Sequence, residues 1–303
     1  MNANFEPALS AAHAAAASQN YPSGALYMVA SPIGNLADIS LRALHVMQLC
    51  NVLACEDTRH TQGMVRLYGI DPAQKHWLAA HQHNEAEAAQ DIIARLQAGE
   101  RVAYLSDAGT PAVSDPGARL AWQVAQAGLR VIPLPGASSV TTLLSACGSP
   151  SADISGFVFV GFLPSKAQER AVAVELLKLE TRTQIVLEAP HRIEALATAL
   201  TVLGERQITV GRELTKQFEE IATFTAQAFP AWLSANAQRL KGEFALVIHA
   251  SQQPATPAAE GERVLRLLLT ELPLKSAVKL AAEISGAPRN TLYDLALEIK
   301  NQS

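Results

Sequence analysis

Three apolar segments in the first half of the chain end in the same way, at a short run of small residues, glycine and proline that leads into a helical pattern. These ends lie at Ser31–Leu36, Ser106–Pro111 and Pro133–Ser139. Strands that stop in such loops are typical of an α/β domain whose strand carboxyl ends lie over a ligand. We therefore predict an α/β fold with a ligand pocket built from these three loops.

The first half of the chain alternates short apolar segments with helical patterns. The predicted strands are Leu26–Ala30, Val52–Cys55, Trp77–Ala80, Val102–Leu105 and Val131–Leu134. The predicted helices are Leu41–Leu49, Asn84–Ala98 and Ala118–Ala127, and glycines suited to a left-handed cap follow the last two. Strands that alternate with helices predict a parallel sheet covered on both faces. We place this first domain at residues 25–148.

A second run of strand patterns follows a turn-rich joint at Ser149–Asp153. These strands are predicted at Phe157–Gly161, Gln184–Glu188, Gln207–Gly211, Ile221–Thr225 and Glu243–Ala250. Partial alternation of apolar and polar residues in the last two predicts antiparallel pairing in a mixed sheet. Because 303 residues exceed the roughly 100–200 of a typical domain, we place a second α/β domain at residues 149–250.

The rest of the chain is predicted to be a linker at residues 251–260 and a helical module at residues 261–303. The module's helical patterns are Arg263–Thr270, Ser276–Ile284 and Asn290–Lys300. A break at Gly286–Pro288 separates the last two, as in a helix-turn-helix. Nucleic-acid contact through Lys275, Lys279 and Arg289 and a plain packing module are both open interpretations.

Composition restricts the classes of protein to which the chain can belong. The net charge is −4, and no apolar run approaches the roughly 18 residues of a membrane span. Cys50 and Cys55 lie in apolar surroundings without a paired spacing, which predicts buried thiols in a reducing cytoplasm. Residues 1–24 are rich in alanine but contain no lysine or arginine, which predicts a mobile tail rather than a targeting peptide.

Polar residues at the strand ends are the candidates for chemistry. Asp107 directly follows a buried strand and is interpreted as a site residue, whereas Asp115 precedes proline and is interpreted as a helix cap. Burial of the polar run Glu56–His60 beside an apolar strand would cost free energy. We therefore expect these side chains to be exposed or to take part in the site. His81 and His83 have no third ligand nearby, so we predict no metal site. The dinucleotide pattern GxGxxG is absent.

Nine motifs in order resemble those of the RsmI family, 16S ribosomal RNA cytidine 2′-O-methyltransferases of the tetrapyrrole methylase superfamily. The motifs are Ser31–Leu36, Cys55–Thr61, His83–Glu85, Ser106–Gly117, Pro135–Ser138, Gly161–Pro164, Ala189–Arg192, Arg212–Lys216 and Lys241–Phe244. The resemblance covers residues 25–250, and the helical tail resembles the family's C-terminal module. Ser31 and Ala189 depart from it, since the family commonly has Thr and Ser there.

The resemblance implies two α/β domains with S-adenosylmethionine in a cleft between them, and a homodimer. It also implies a substrate, a decoding-region cytidine of 16S ribosomal RNA in the small (30S) ribosomal subunit. The implied cofactor contacts are Pro32, Asp107, Ala108, Gly109, Val113 and Ser138 from the first domain, with Leu187, Pro190 and Phe244 from the second.

A methyl group on a sulfonium is already activated, so the enzyme must mainly align the acceptor hydroxyl. Glu56, Glu213 and Lys216 are our candidates for alignment or proton acceptance. Arg59, His191 and Arg192 are our candidates for phosphate contacts. For Glu213 and Arg192, an interdomain ion pair is the alternative interpretation.

Other functions remain as alternatives. A methyltransferase for a small tetrapyrrole-like acceptor would share the cofactor pocket, and competition by such an acceptor would favour it. A metal-dependent phosphohydrolase using Asp107 and Asp115 would release phosphate with magnesium alone. A non-catalytic ribosome-binding factor would bind subunits and leave no methyl group.

Overall fold

The computed structural model describes residues 5–81, 84–148, 156–251 and 257–301. The chain divides into two compact units. The first unit consists of Met1–Ala146 and Gly211–Ile221, and the second of Cys147–Val210 and Ala222–Ser303. The short segment Gly211–Ile221 therefore belongs with the first unit, although the sequence places it inside the second predicted domain.

The first unit is built on a five-stranded parallel sheet. Its strands are β1 (Ala25–Val29), β2 (Val52–Cys55), β3 (His76–Ala79), β4 (Arg101–Leu105) and β5 (Arg130–Leu134). Their order is β3-β2-β4-β1-β5, and each pairing is parallel. Every residue of β1 is buried, which explains its unbroken apolar sequence. The predicted parallel sheet is confirmed, and β1 lies between β4 and β5.

Six helices accompany this sheet. They are α1 (Glu6–Ala16), α2 (Leu41–Leu49), α3 (Thr58–Leu67), α4 (Glu85–Gln97), α5 (Gly117–Gln126) and α6 (Ser139–Cys147). Ser40 caps α2, because its hydroxyl accepts a hydrogen bond from the Ala43 N–H at 3.1 Å. Gly99 and Gly128 adopt positive φ after α4 and α5, as the helix-end prediction requires. Separate apolar clusters fill the two faces of the sheet.

Helix α1 differs from the tail predicted for residues 1–24. Ala12 and Ala16 are buried on the face of α1 that joins the core cluster containing α2. Alanine faces allow two helices to approach closely, and Phe5 and Leu9 also pack against this cluster. The prediction of a tail was wrong because it rested on the alanine-rich composition, which does not show whether a segment packs.

The second unit contains a mixed five-stranded sheet. Its strands are β6 (Phe157–Phe162), β7 (Thr183–Glu188), β8 (Gln207–Arg212), β9 (Glu220–Thr225) and β10 (Phe244–Ile248), in the order β6-β7-β10-β8-β9. β6 pairs with β7 in parallel, whereas β10 pairs with β7 antiparallel. The predicted mixed sheet is confirmed. Helices α7 (Ala167–Leu179), α8 (Ile193–Leu200) and α9 (Phe229–Ser234) accompany it.

Three further helices form the C-terminal module with a small core of its own. They are α10 (Pro257–Leu269), α11 (Leu274–Ser285) and α12 (Arg289–Asn301). Leu265, Ala277 and Ala296 are fully buried in this core. Gly286 ends α11 in the left-handed conformation, at the predicted break. α10 begins at Pro257, inside the predicted linker. The linker residues 252–256 and the predicted joint at residues 149–153 lie outside the described part of the chain.

Within the described ranges, no helix combines the length and the apolar character that crossing a membrane requires.

We expect Ala12→Asp to reveal whether α1 packs as described. A carboxylate at this buried position loses its hydration without gaining a partner, so the free energy of unfolding should fall by about 2–3 kcal/mol. Ala11→Asp is the matched control, because Ala11 is exposed one position earlier on the same helix. Denaturant unfolding of both variants measures the difference, and equal midpoints would mean that α1 is not part of the core.

Candidate functional site

The carboxyl ends of β1 and β4 are joined by a two-residue antiparallel bridge. The Ser31 N–H donates to the Gly109 carbonyl at 3.0 Å, and the Gly109 N–H donates to the Ser31 carbonyl at 3.1 Å. The buried Ser31 hydroxyl donates to the Ser106 carbonyl at 2.7 Å. Two of the three predicted loops are thereby held together by backbone geometry.

The third loop, after β5, joins the same edge through close backbone approach. The Thr110 hydroxyl donates to the Ala137 carbonyl at 3.0 Å. A Cβ on Gly136 would lie 2.7 Å from Ala30 Cβ, and a Cβ on Gly109 would lie 3.1 Å from Ile33 Cγ2. A Cβ at Gly136 would be too close to Ala30, and Gly109 has φ +79°, a conformation that other residues rarely adopt, so both glycines help the three loops to meet.

The loop after β2 is attached to the same edge through Asp107. The Asp57 N–H donates to Asp107 Oδ1 at 3.2 Å. Asp57 Oδ1 in turn accepts hydrogen bonds from the Arg59 and His60 N–H groups, at 2.8 and 3.2 Å, and so caps α3. Arg59 itself points into solvent as an exposed side chain. Asp57 is thus a cap, and Glu56 beside it remains available for chemistry.

Negative charge accumulates at this edge of the sheet. Burial raises the pKa of the Glu56 carboxyl above its ordinary value, and the nearby charges of Asp107 and Asp115 raise it further. Asp115 Oδ1 accepts hydrogen bonds from the Ala112 and Gly117 N–H groups, at 2.9 and 2.8 Å. This agrees with the interpretation of Asp115 as a structural residue at the start of α5. Glu56 is therefore a stronger proton acceptor than a solvent-exposed glutamate.

Tyr104 is a member of this edge that the sequence does not single out. Its side chain is fully buried, and its hydroxyl has no hydrogen-bond partner among the residues that the structure describes. Burial raises the pKa of Tyr104, and the charges of Asp115, Glu56 and Asp107 raise it further. A tyrosine within an apolar strand is usually interpreted as a core residue. The sequence therefore does not show that the Tyr104 hydroxyl lacks a hydrogen-bond partner.

The loop between β8 and β9, residues Glu213–Glu219, contributes the remaining catalytic candidates. Lys216 Nζ lies 2.8 Å from Glu213 Oε1. The aliphatic part of Lys216 crosses Gly34, where a Cβ would lie 2.4 Å from Lys216 Cγ. Thr215 adopts φ +65°, a conformation that β-branched residues rarely adopt. The structure thus places Lys216 and Glu213 at the carboxyl end of β1, within the first unit.

Other predicted residues of the first unit surround the three loops. Pro32 and Ser138 are buried, whereas Ala108 and Val113 are exposed.

The predicted residues of the second unit gather at the ends of β7 and β10. Leu187 and Phe244 are buried on these neighbouring strands, and Pro190 begins a short turn after β7. Arg192 is engaged within its own unit: its Nε lies 3.0 Å from the buried Glu188 Oε1, and its Nη2 donates to the Leu163 carbonyl. Its guanidinium is therefore held in place, whereas His191 is exposed.

The three basic residues of the helical module that were predicted to contact nucleic acid are all exposed. Lys275 and Lys279 are exposed one turn apart on α11, and Arg289 is exposed at the first position of α12. Lys279 Nζ lies 4.0 Å from Glu283 Oε1, a solvent-exposed pair that holds the lysine weakly.

A metal site finds no support in the described ranges, where no three acidic, histidine or cysteine side chains converge. His83, one of the two histidines weighed as ligands, lies outside them.

We expect Asp107→Asn to lower the pKa of Glu56, because the substitution removes a neighbouring negative charge and keeps an oxygen that accepts the Asp57 N–H. The pKa should stay above its ordinary value, since burial is the larger cause. Carboxyl carbon NMR titration measures it. Asp91→Asn on α4 is the control, because Asp91 does not act on Glu56. An unchanged pKa in Asp107→Asn would show that the two charges do not interact.

Comparison with known proteins identifies the family. Residues 25–230 match the model of tetrapyrrole (corrin/porphyrin) methylases, and residues 255–300 match that of the RsmI C-terminal HTH domain. Proteins named ribosomal RNA small subunit methyltransferase I are similar over most of their length. The one from Escherichia coli O157:H7 is 44% identical over 91% of this chain and 95% of its own. The one from Neisseria meningitidis serogroup B is 41% identical over 96% of this chain and 99% of its own length.

Solved structures share the fold at low sequence identity. Uroporphyrin-III C-methyltransferase from Thermus thermophilus has a TM-score of 0.52 at 20% identity and covers 75% of this chain and 94% of its own. The methyltransferase CobJ has a TM-score of 0.55 at 14% identity and covers 76% of this chain and 95% of its own. The α/β units and the helical module are thus both accounted for, and the chain belongs to the tetrapyrrole methylase family and, within it, to the RsmI group.

Proposed function

We propose that this chain transfers a methyl group from S-adenosylmethionine to the 2′-hydroxyl of a cytidine in the decoding region of small-subunit ribosomal RNA. The observation that carries the proposal is the extent of similarity. Relatives named for the small-subunit RNA match 91–96% of the chain, helical module included. The tetrapyrrole methyltransferase from Thermus thermophilus matches only 75% of it.

The described residues fit the methyl donor at the edge of the first sheet. S-adenosylmethionine supplies a methyl group already activated on a sulfonium. The carboxylate of Asp107 can accept hydrogen bonds from ammonium or hydroxyl groups, and Ala108 and Gly109 leave the backbone accessible. The unsatisfied hydroxyl of Tyr104 supplies a further polar atom. The remaining assignments are Pro32, Val113 and Ser138 from the first unit and Leu187, Pro190 and Phe244 from the second.

Lys216, Glu213 and Glu56 then act on the acceptor hydroxyl. The ion pair with Glu213 holds the Lys216 ammonium in position, and we assign to this ammonium the alignment of the acceptor. A carboxylate is the better proton acceptor when its pKa is raised, and burial does this for Glu56. Alignment is the larger requirement, because the sulfonium makes proton removal late.

The exposed cations hold the ribosomal RNA by its phosphates. Arg59, His191, Lys275, Lys279 and Arg289 are the proposed contacts. Arg192 is paired with Glu188, so its part is to hold the turn Pro190–Arg192 in place and to contribute positive charge from there. With a net charge of −4, the chain has no general basic field, so we propose an assembled small subunit as substrate. We also propose a homodimer, as the resemblance to the RsmI family implies, that acts in the cytoplasm.

The purified protein should label small subunits that lack this methyl group when it is given methyl-labelled S-adenosylmethionine. We expect the label on the 2′-oxygen of one cytidine, located by nuclease digestion and mass spectrometry. Lys216→Ala and Glu56→Gln should each lower kcat by about 100-fold with intact subunits, because each removes a group that aligns or deprotonates the acceptor.

Lys178→Ala, on α7 of the second unit, is the control for loss of one lysine. Wild-type kcat in both Lys216→Ala and Glu56→Gln would overturn their roles. Label on an added tetrapyrrole-like acceptor and none on the subunits would assign the chain to the small-molecule methyltransferases instead.

Gly34→Ala tests the position of Lys216 without removing its charge. The new Cβ would force the lysine stem to move, and displacement of an aligning group by about 1 Å can cost about 100-fold in rate. Gly63→Ala on α3 is the matched control, because its Cβ would meet nothing within 4 Å. We expect kcat to fall only in Gly34→Ala. Its melting temperature should fall as well, because Gly34 has φ +159°, which alanine rarely adopts, so both variants are assayed at a temperature where circular dichroism shows them folded. Equal rates would mean that Lys216 acts from another position.

A further inference from the structure

Phe218 is the most exposed large apolar side chain among the described residues, at 68% of its full accessibility. It lies near the end of the β8–β9 loop, two positions after Lys216. Single exposed apolar residues are common on protein surfaces, so exposure alone carries no functional meaning. What distinguishes Phe218 is the way in which its loop is built.

The β8–β9 loop is cross-linked to itself on both sides of Phe218. Arg212 Nη2 donates to the Phe218 carbonyl at 3.1 Å, and Arg212 Nε lies 3.6 Å from Glu220 Oε2. The Thr215 N–H donates to Glu219 Oε2 at 2.6 Å. Backbone bonds from the Lys216 N–H to the Glu213 carbonyl and from the Glu219 N–H to the Lys216 carbonyl close two turns. The backbone that presents the ring is therefore held in one conformation.

Backbone strain is retained in the same loop. Glu213 and Thr215 both adopt positive φ, +52° and +65°. Non-glycine residues are held in such conformations mainly where the surrounding structure imposes them, and they concentrate at functional sites. One result of this backbone is that the Lys216 stem crosses Gly34 at the end of β1. Phe218 thus follows by two positions the lysine to which we assign the alignment of the acceptor ribose.

The charge of the loop disfavours phosphate at this point. From Arg212 to Glu220 the chain carries three acidic side chains and two basic ones, and both basic groups are ion-paired. An uncharged aromatic face is the group that this loop can offer to a nucleic acid. Bases that are unstacked from an RNA helix bind to such faces, because every base has a π-surface.

We propose that Phe218 is a stacking platform for an unpaired base of the substrate RNA, next to the ribose that is methylated. The inference rests on the proposed function and adds to it a residue that selects how the RNA is presented. A second copy of the chain is a less suitable occupant, since Gln217 and Glu219 on either side of the ring are exposed and polar.

Three substitutions separate stacking from simple apolar contact. Phe218→Ala and Phe218→Leu both remove the π-face, and Leu keeps much of the apolar bulk, whereas Phe218→Trp keeps the face. We expect KM for unmethylated small subunits to rise about 5- to 150-fold in Phe218→Ala and Phe218→Leu. In Phe218→Trp it should stay near the wild-type value. Trp122→Ala on α5 is the matched control, because Trp122 is a comparably exposed aromatic residue, at 65%, outside the loop. Its KM should not change.

Salt dependence supplies a second readout. Loss of a stacking contact releases no counterions, so the slope of log affinity against log salt should be the same in Phe218→Ala as in wild type. Lys275→Ala should reduce that slope, because it removes a phosphate contact.

The outcomes separate the inference from the function on which it rests. Wild-type KM in Phe218→Ala, full rescue by Leu, or a reduced salt slope in Phe218→Ala would each overturn the stacking role. A change of oligomeric mass in Phe218→Ala, measured by light scattering, would assign the ring to a contact between copies. Failure of the wild-type protein to methylate subunits would overturn the proposed function itself.

Discussion

The two hydrogen bonds between Ser31 and Gly109 are the constraint on which the site depends. A parallel sheet leaves backbone donors and acceptors at the ends of its strands, and these groups need partners when they are buried. Here two neighbouring strand ends satisfy each other. This arrangement fixes the loop after β4, so that Gly109 packs on Ile33 and Asp107 receives the Asp57 N–H. The positions of the acidic residues follow from backbone pairing.

Charged groups of both signs lie near the strand ends of the first unit. Burial and the charges of Asp107 and Asp115 raise the pKa of Glu56, while the Lys216 ammonium lies 2.8 Å from Glu213 Oε1. In the proposed reaction these two groups have different roles: the lysine holds the acceptor and the Glu56 carboxylate receives its proton.

The sequence was sufficient for most of the sheet and for the location of the site. All ten predicted strands are present, because each is a short apolar run bounded by turn residues. The three loops meet as predicted, since adjacent parallel strands end at one edge. Helix α1 was missed because the tail was predicted from the alanine-rich composition of residues 1–24, whereas Ala12 and Ala16 are buried in the core cluster. Its packing depends on a partner helix, which local pattern does not reveal.

The site residues were less predictable for the same reason. The pairing of Arg192 with Glu188 is an i, i+4 relation across the end of a strand, a spacing that suggests a pair only when a turn follows. The membership of residues 211–221 in the first unit is a property of tertiary folding. Local sequence gives the chemistry of Glu213 and Lys216 but not their neighbour Gly34.

The buried hydroxyl of Tyr104 has a thermodynamic consequence for the whole unit. A polar oxygen withdrawn from water without a partner costs about 1–3 kcal/mol, which lowers the stability of the folded chain. Any molecule that satisfies this oxygen recovers part of that cost as binding free energy, and its affinity adds to the stability of the fold. A ligand atom that reaches this oxygen would therefore draw part of its binding free energy from the ground state of the protein.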